Sequence, residues 1–246
     1  MTLGLDGKVA IVTGGGRNIG RQICLTLAGH GCDVVVNVRT NLDEGRAVVD
    51  EVKALGRRAI AVAADVGDPD AARAMADRAA KELGRIDVLV NCASPRANKG
   101  LLEVSEEEWR ALRAGTIEGP LNTCRAVLPV MVGQKSGSVV NISGSVAYTG
   151  TWSQMAAAKA SIIGLTRGLA REFGPFGIRV NAVVPTTIDT GKGRDPSRLA
   201  AEIAATPLGR IGTPREVADV VAFLAGDMAS FVSGQAIHVN GGQLMP

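Results

Sequence analysis

A lysine on a predicted helix is the residue of this chain best suited to chemistry. Lys159 lies in the stretch SQMAAAKAS, residues 153–161, and Met155 precedes it by four residues on the same helical face. A lysine ammonium can hold hydroxyl groups or anions and can release a proton, whereas a methionine thioether has no proton to donate. The pair therefore predicts a site that has a cation, Lys159, but lacks a proton-donating side chain one helical turn before it.

A glycine-rich turn is the second candidate. The stretch TGGGRNIG follows a predicted strand, and its glycines are Gly14, Gly15, Gly16 and Gly20. Backbone without Cβ atoms lets amide N–H groups and a helix N-terminus reach a pyrophosphate. The G-x-G-x-x-G spacing fails at Ile19, but the wider spacing T-G-x-x-x-G-x-G fits if Asn18 replaces the middle glycine, since asparagine tolerates positive φ. The turn predicts a dinucleotide site, and a tight strand–helix connection without a ligand is the alternative.

The end of the second predicted strand indicates which dinucleotide is preferred. An acid there binds the adenosine ribose when NAD is preferred, but here the strand ends in Asn-Val-Arg-Thr, residues 37–40, and the next acid is Asp43. Arg39 and Arg17 could instead hold a 2′-phosphate through charge-assisted hydrogen bonds. The pattern favours NADP(H), with NAD(H) as the second choice; two solvated surface arginines are the alternative.

The elements that must position these residues alternate between buried strands and amphipathic helices. Seven short runs are predicted strands, and most of them are continuous in valine and isoleucine without polar alternation, which is typical of parallel strands buried on both faces. They are residues 8–13, 33–38, 58–65, 85–91, 136–143, 177–185 and 235–242. Apolar residues at helical spacing mark residues 43–55, 70–83, 106–131, 156–173 and 215–225. This order predicts one doubly wound α/β domain over residues 1–246, with a seven-stranded, mainly parallel sheet and helices on both faces.

Composition argues against several function classes. A net charge of +3 over 246 residues, without a basic run, gives no sign of nucleic acid binding. The four cysteines have no metal-ligand spacing, and no stretch has the pattern of a signal peptide or of a membrane span. We therefore expect a cytoplasmic protein that holds no metal.

The chain resembles the short-chain dehydrogenase/reductase family, particularly its ketoacyl-reductase-like branch, over nearly its whole length. The motifs that carry the resemblance are TGGGRNIG, ADV (64–66), DVLVNCAS (87–94), SEEEWRAL (105–112), VVNISGS (139–145), AAAKASIIGLTRGLAREF (156–173), GIRVNAVVPTTIDT (177–190) and GQAIHVNGG (234–242). The resemblance implies a Rossmann-type fold, a nicotinamide cofactor and a homotetramer or dimer.

The resemblance also implies which residues contact the cofactor. Beyond the glycine turn, the set is Asp65, Val66, Asn91, Lys159, Pro185, Ile188 and Thr190. Asp65 and Val66 would flank the adenine, and Lys159 would hold the hydroxyls of the nicotinamide ribose. The segment after Pro185 would pack near the carboxamide.

The catalytic half of the chain departs from the family pattern. The family has a tyrosine four residues before the lysine, whose phenol donates a proton to the reacting oxygen, and this chain has Met155 there. Thr116 stands at the position of the family's helix-borne asparagine. The substrate-polarising serine falls on Ser143 or Ser145, with Gly144 at that position in one register, because the spacing to Met155 is shorter than usual.

Four explanations for the missing tyrosine remain open. Tyr148, the only tyrosine of the chain, or Lys159 acting through water could supply the proton; a positioned general acid contributes on the order of 10²–10⁴-fold to the rate. A protonated imine substrate needs no acid. The chain could be a catalytically silent partner of an active homologue in a mixed oligomer, or it could perform a non-redox step.

The function predicted from the sequence is oxidation or reduction of a small carbonyl, alcohol or imine substrate with NADP(H), at an atypical active site. The catalytic candidates are Lys159, Ser143, Ser145 and Tyr148, and the candidate substrate contacts are Arg96, Trp152 and Met155. Arg96 follows a strand end at the rim where substrates enter such sheets. Residues 186–204 have the composition of a mobile lid, and the same composition is typical of an ordinary surface loop.

Overall fold

The computed structural model describes residues 2–95, 98–191 and 195–246. The strands in these residues are β1 (Val9–Val12), β2 (Asp33–Val38), β3 (Ala59–Ala63), β4 (Val88–Asn91), β5 (Gly137–Ile142), β6 (Ile178–Pro185) and β7 (Ala236–Val239). The α-helices are α1 (Asn18–Gly29), α2 (Leu42–Ala54), α3 (Pro69–Leu83), α4 (Glu106–Arg113), α5 (Gly119–Gln134), α6 (Val146–Thr149), α7 (Ser153–Phe173), α8 (Pro196–Ala204) and α9 (Pro214–Ala225).

The seven strands form a single sheet in the order β3-β2-β1-β4-β5-β6-β7, and every neighbouring pair is parallel. This confirms the predicted sheet, with the refinement that it is wholly parallel. The chain builds outwards from β1 to β3, then returns to the other side of β1 with β4. Ligands of such sheets bind in the crevice outside the carboxyl ends of the strands where the order reverses, which here lies between β1 and β4.

Helices cover both faces of the sheet and close two apolar cores. Residues of α1, α2 and α9 pack on one face, and residues of α3, α5 and α7 pack on the other. Neighbouring strand residues alternate between these cores: Val34 and Val36 belong to the first, and Val35 belongs to the second. Burial on both faces explains why the strands read as unbroken apolar runs rather than as alternating ones.

Residues 106–131, predicted from their spacing to be helical, are helical throughout but do not form one regular α-helix. The chain forms α4, then a π-helical turn at Ala114–Glu118, and then α5, which continues to Gln134. A Cβ on Gly115 would lie 2.5 Å from Cδ of Pro95, so this turn approaches the loop after β4 because the residue has no side chain.

Several predicted boundaries also shift. Helix α7 begins at Ser153, three residues before the apolar-spaced segment 156–173, and Met155 lies in its first turn, on the helix that was predicted to carry both Met155 and Lys159. Strands β3 and β7 are shorter than the predicted strands 58–65 and 235–242. They end before Asp65 and Asn240, so these two residues lie in loops. The segment predicted as a lid contains an isolated bridge between Ile188 and Gly212 and the helix α8; residues 192–194 lie outside the described residues.

Candidate active site

The glycine turn between β1 and α1 has a backbone that requires its residue types. Gly14 has a φ of +65° and Asn18 has a φ of +50°, and glycine and asparagine adopt this left-handed region with the least strain. A Cβ on Gly20 would overlap the carbonyl oxygen of Gly14. The N-terminus of α1 can therefore rest against the turn only because Gly20 has no side chain.

The first turn of α1 carries the positive end of the helix dipole, and no side chain of the helix neutralises it. Its N-cap residue, Arg17, makes no side-chain cap hydrogen bond, and no acidic residue lies in the first turn. The free N–H groups and the helix dipole both favour an anion at this position. Arg17 and Arg39 are exposed, and neither side chain bonds to any residue within the described ranges. This donor set fits the phosphates of a dinucleotide.

A buried polar residue outside the predicted site, Asn37, holds the turn from the neighbouring strand. It is 1% exposed, and its Oδ1 accepts the N–H of Gly14 at 3.3 Å while its carbonyl oxygen accepts the N–H of Gly15 at 2.8 Å. Its Nδ2 donates to the carbonyl oxygen of Ala64 at 3.0 Å. A polar residue inside an otherwise apolar strand was the available signal, because such a residue needs internal partners.

The end of β3 provides the surface implied to hold the adenine. Asp65 is exposed, and its Oδ1 accepts the N–H of Gly67 at 2.9 Å. Val66 is buried, and its carbonyl oxygen accepts from Nδ2 of Asn122 at 3.0 Å. The loop after β3 is therefore anchored to α5, which keeps Asp65 and Val66 at the carboxyl edge of the sheet.

Lys159 is buried at the carboxyl end of β5. It is only 9% exposed, and its Nζ donates to the carbonyl oxygen of Ile142 at 3.1 Å. Burial lowers the pKa of the ammonium from 10.5 to about 8, and the nearby Cys92 acts in the opposite direction. Burial likewise raises the pKa of the Cys92 thiol to about 11. Lys159 is thus a buried cation whose pKa lies close to neutral pH.

The two candidate serines have different surroundings. The hydroxyl of Ser143 is buried and donates to the carbonyl oxygen of Lys159 at 2.8 Å. Ser145 is half-buried, its N–H donates to the carbonyl oxygen of Pro185 at 3.0 Å, and its side chain forms no hydrogen bond within the described part of the chain. Ser143 therefore fixes the α7 backbone at the lysine, whereas the Ser145 hydroxyl is open to a ligand.

Tyr148 and Met155 belong to different apolar clusters. The Tyr148 ring contacts His238 edge-on, with centroids 4.8 Å apart, and packs in the cluster of Ile163. Met155 is 5% exposed and packs with Leu112. Tyr148 precedes α7 and Met155 lies in its first turn, but the structure does not bring the phenol into the Met155 cluster.

Trp152 closes one side of the Met155 cluster and contacts the segment predicted as a lid. It packs with that cluster and has a φ of +55°, an uncommon conformation for a bulky residue. The guanidinium of Arg198, on α8, lies 5.7 Å from the centre of its ring, within cation–π range. Arg96, the third candidate substrate contact, lies outside the described residues.

Polar side chains near the ends of β4 and β5 form hydrogen bonds with each other. Asn91 donates through Nδ2 to Oδ1 of Asn141 at 2.9 Å and accepts from Oγ1 of Thr123 at 2.6 Å. The hydroxyls of Thr116, in the π-helical turn, and of Ser94 lie 2.9 Å apart. The Asn91 amide therefore joins β4, β5 and α5 inside the protein, while Thr116 fixes the loop after β4.

The segment after β6 lies at the same edge of the sheet. Pro185 ends β6, Ile188 is buried and bridges to Gly212, and Thr190 is half-buried. The N–H of Asp189 donates to the carbonyl oxygen of Gly212 at 2.7 Å. The residues implied to approach the carboxamide are thus held by backbone contacts rather than by a regular element.

Two classes of site find no support in the described residues. No group of histidine, cysteine, aspartate and glutamate side chains there could hold a metal ion. No helix in residues 2–95, 98–191 and 195–246 combines the length and the apolar character that crossing a membrane requires. Cys24, Cys32, Cys92 and Cys124 are free thiols.

Sequence relatives cover almost the whole chain. A family model described as enoyl-(acyl carrier protein) reductase matches residues 14–243. The 3-oxoacyl-[acyl-carrier-protein] reductase FabG of Staphylococcus aureus is 39% identical over 242 residues, which are 97% of this chain and 98% of the relative. The protein of the same name from Escherichia coli is 35% identical over 247 residues, covering 99% and 100% of the two chains.

Solved structures agree with these relatives. A putative short-chain alcohol dehydrogenase from Sinorhizobium meliloti superposes with a TM-score of 0.94 at 30% identity, over 99% of this chain and 98% of that one. A gluconate 5-dehydrogenase from Burkholderia cenocepacia, in complex with NADP and tartrate, superposes with a TM-score of 0.93 at 30% identity, over 98% and 96%. The fold, the glycine turn and these relatives together show that the chain belongs to the short-chain dehydrogenase/reductase family of oxidoreductases.

Proposed function

We propose that this protein uses NADP(H) to reduce a small carbonyl compound, or to oxidise the corresponding alcohol, at a site where Met155 replaces the usual tyrosine. The observation that carries the proposal is the buried Lys159 ammonium, with Met155 one helical turn before it, at the same sheet edge as the glycine turn. A bound nicotinamide would supply or accept the hydride. The chain's own residues must then hold the cofactor and manage the proton.

The proposed preference for NADP(H) rests on two arginine side chains that have no ion-pair partner among the described residues. Arg17 and Arg39 lie at the start of α1 and just after β2, and neither has a partner in the described residues. The gluconate 5-dehydrogenase that superposes on this chain was solved with NADP. Charge-assisted bonds from two guanidinium groups would distinguish a 2′-phosphate from a hydroxyl.

We propose that Nζ of Lys159 supplies the proton. A proton donor works best when its pKa lies near the working pH, and burial brings the pKa of Lys159 to about 8. Tyr148 is less suitable because its ring packs on His238, in a cluster other than that of Met155. Of the two serines, we propose that Ser145 contacts the substrate oxygen, since the Ser143 hydroxyl already donates to the backbone of Lys159.

The Arg39→Ala variant is expected to bind NADPH more weakly while its affinity for NADH stays unchanged. One lost hydrogen bond between charged groups corresponds to a roughly ten- to hundred-fold increase in Kd. Fluorescence titration of both coenzymes measures the change. Arg46→Ala is the matched control, because Arg46 is exposed on α2 and is paired with Asp43. An equal loss of affinity for both coenzymes would contradict the proposed role of Arg39.

The Met155→Tyr variant tests the chemistry. For ketone substrates we expect kcat to rise, because a phenol one turn before Lys159 adds a proton donor, worth on the order of 10²-fold or more when well placed. The measurement is NADPH oxidation with ketones and with cyclic imines. Met155 itself favours imines as a second candidate class, since a protonated imine needs no acid; imine turnover that tyrosine does not improve would support that class.

Binding data separate these proposals from the non-enzyme alternative. If neither NADPH nor NADH binds, the oxidoreductase proposal fails. Binding without turnover, together with co-purification of a homologous chain, would support a silent subunit in a mixed oligomer. A homotetramer or dimer remains the expected assembly, and light scattering of the purified protein would check it.

A further inference from the structure

A carboxylate that belongs to none of the predicted motifs lies against the glycine turn. Glu44 is in the first turn of α2 and is half-buried. A Cβ placed on Gly16 would lie 3.2 Å from Cβ of Glu44 and 3.5 Å from its Oε2. The end of β2 has no acidic residue, but the next helix, α2, places a carboxylate close to the glycine turn.

The Glu44 carboxylate is not used to cap its own helix. Glutamate at the third position of a helix commonly turns back to the N-cap N–H in a capping box, and Glu108 of α4 and Glu216 of α9 do this. In α2 only half of the motif forms, because Asn41 accepts from the N–H of Glu44 but receives no bond in return. Across the described ranges, no hydrogen bond or ion pair joins the Glu44 carboxylate to another group.

The packing of α2 fixes where this carboxylate lies. Gly45 is buried, and a Cβ there would be 3.2 Å from Cβ of Ala61 on β3 and 3.4 Å from Cγ1 of Val38. The absence of a side chain lets the start of α2 lie directly on the sheet. Glu44, the preceding residue, is thereby held beside Gly16.

The position of Glu44 is on the path of an adenosine ribose. A dinucleotide that runs from the glycine turn on β1 to the end of β3 must cross the end of β2, which lies between these two strands. Val38, Arg39 and Glu44 are the residues at this crossing. A carboxylate here can accept hydrogen bonds from ribose hydroxyls, as acids do in dinucleotide sites, and it repels a 2′-phosphate.

We propose that Glu44 selects between the coenzymes, accepting the ribose 2′-hydroxyl of NAD(H) and opposing the 2′-phosphate of NADP(H). The inference rests on the proposed function, because it requires that a nicotinamide dinucleotide binds at this turn. Arg17 and Arg39 act in the opposite direction. The balance between one carboxylate and two guanidinium groups therefore sets how strongly NADP(H) is preferred over NAD(H).

Equilibrium titration of NADH and NADPH against the Glu44→Gln variant tests this inference. We expect the Kd for NADH to rise and the Kd for NADPH to fall, so that the ratio of the two changes roughly ten- to hundred-fold in favour of NADPH. Asp50→Asn is the matched control, because it removes the same charge from an exposed position of the same helix. Thermal shift of each variant with saturating coenzyme provides a second readout that does not depend on turnover.

The outcomes separate the two proposals. A wild-type protein that binds neither coenzyme overturns the proposed function itself. A wild-type protein that binds them, with a Glu44→Gln variant whose Kd ratio is unchanged or matches that of Asp50→Asn, overturns only the role of Glu44. Loss of both affinities together would show that Glu44 supports the turn without distinguishing the coenzymes, which also contradicts the inference.

Discussion

Replacing Lys159 with methionine is expected to lower kcat for carbonyl reduction by on the order of 10²–10⁴-fold, the usual contribution of a positioned general acid. At the same time it should make the protein more stable at pH 7. Both effects have one cause: Nζ is buried, and its only hydrogen bond to a described residue is to the carbonyl oxygen of Ile142. The folded protein holds a cation that it solvates poorly.

The direction of the stability change follows from the pKa. Lys159 has a pKa of about 8 in the folded protein and an ordinary value of 10.5, so the unfolded chain binds the proton more tightly. The free energy of unfolding should therefore rise as the pH increases from about 8 to about 10.5, and below pH 8 the full penalty remains. A tenfold difference in proton affinity corresponds to about 1.4 kcal/mol, so removing the charge adds at most about 3 kcal/mol at pH 7.

Urea unfolding at pH 7 and pH 10 measures this change, with Lys53→Met as the control because Lys53 is exposed near the end of α2. The Lys159→Met variant should be more stable than the wild type at pH 7 and closer to it at pH 10. Wild-type reduction should also decline above about pH 8, where Nζ is no longer protonated. A variant that loses both stability and activity would indicate that Lys159 mainly supports the fold.

The fold could be predicted because its signals are local. Strands buried on both faces must be apolar at successive positions, and Val34, Val35 and Val36 of β2 show why: they alternate between two cores. The glycine turn was equally readable, since the left-handed φ of Asn18 and the contact of Gly20 with the Gly14 carbonyl restrict the residue types. These constraints act on single positions, so one sequence suffices.

The site was harder to predict because its partners come from distant segments. Glu44 meets Gly16, and Asn37 holds Gly14, through packing between elements that no spacing along the chain indicates. The close approach of Gly115, in the π-helical turn at Ala114–Glu118, to Pro95 likewise joins two separate segments. The sequence therefore indicates which residues could take part in binding or catalysis, but not which groups they contact.

Replacing Gly20 with alanine is expected to abolish high-affinity coenzyme binding. The added Cβ would overlap the backbone of Gly14, which has no flexible side chain to move aside, so either α1 or the turn must shift. Such a shift costs about 1–3 kcal/mol of folding free energy, and Tm should fall by several degrees, at about 2–4 °C per kcal/mol for a chain of this size. Losing even two aligned N–H donors to a phosphate lowers affinity on the order of 10²-fold or more.

Gly29→Ala provides a control within the same helix. Gly29 is exposed at the last position of α1, an added Cβ there would meet no atom within 4 Å, and its φ is not positive. Alanine there should leave coenzyme binding intact and add up to about 1 kcal/mol of stability, because alanine is the better helix former. The two variants make the same chemical change in one helix, so a difference between them reports the contact with the turn. If Gly20→Ala still bound NADPH as tightly as Gly29→Ala, the coenzyme would not depend on this turn, and the site would have to be sought elsewhere on the sheet.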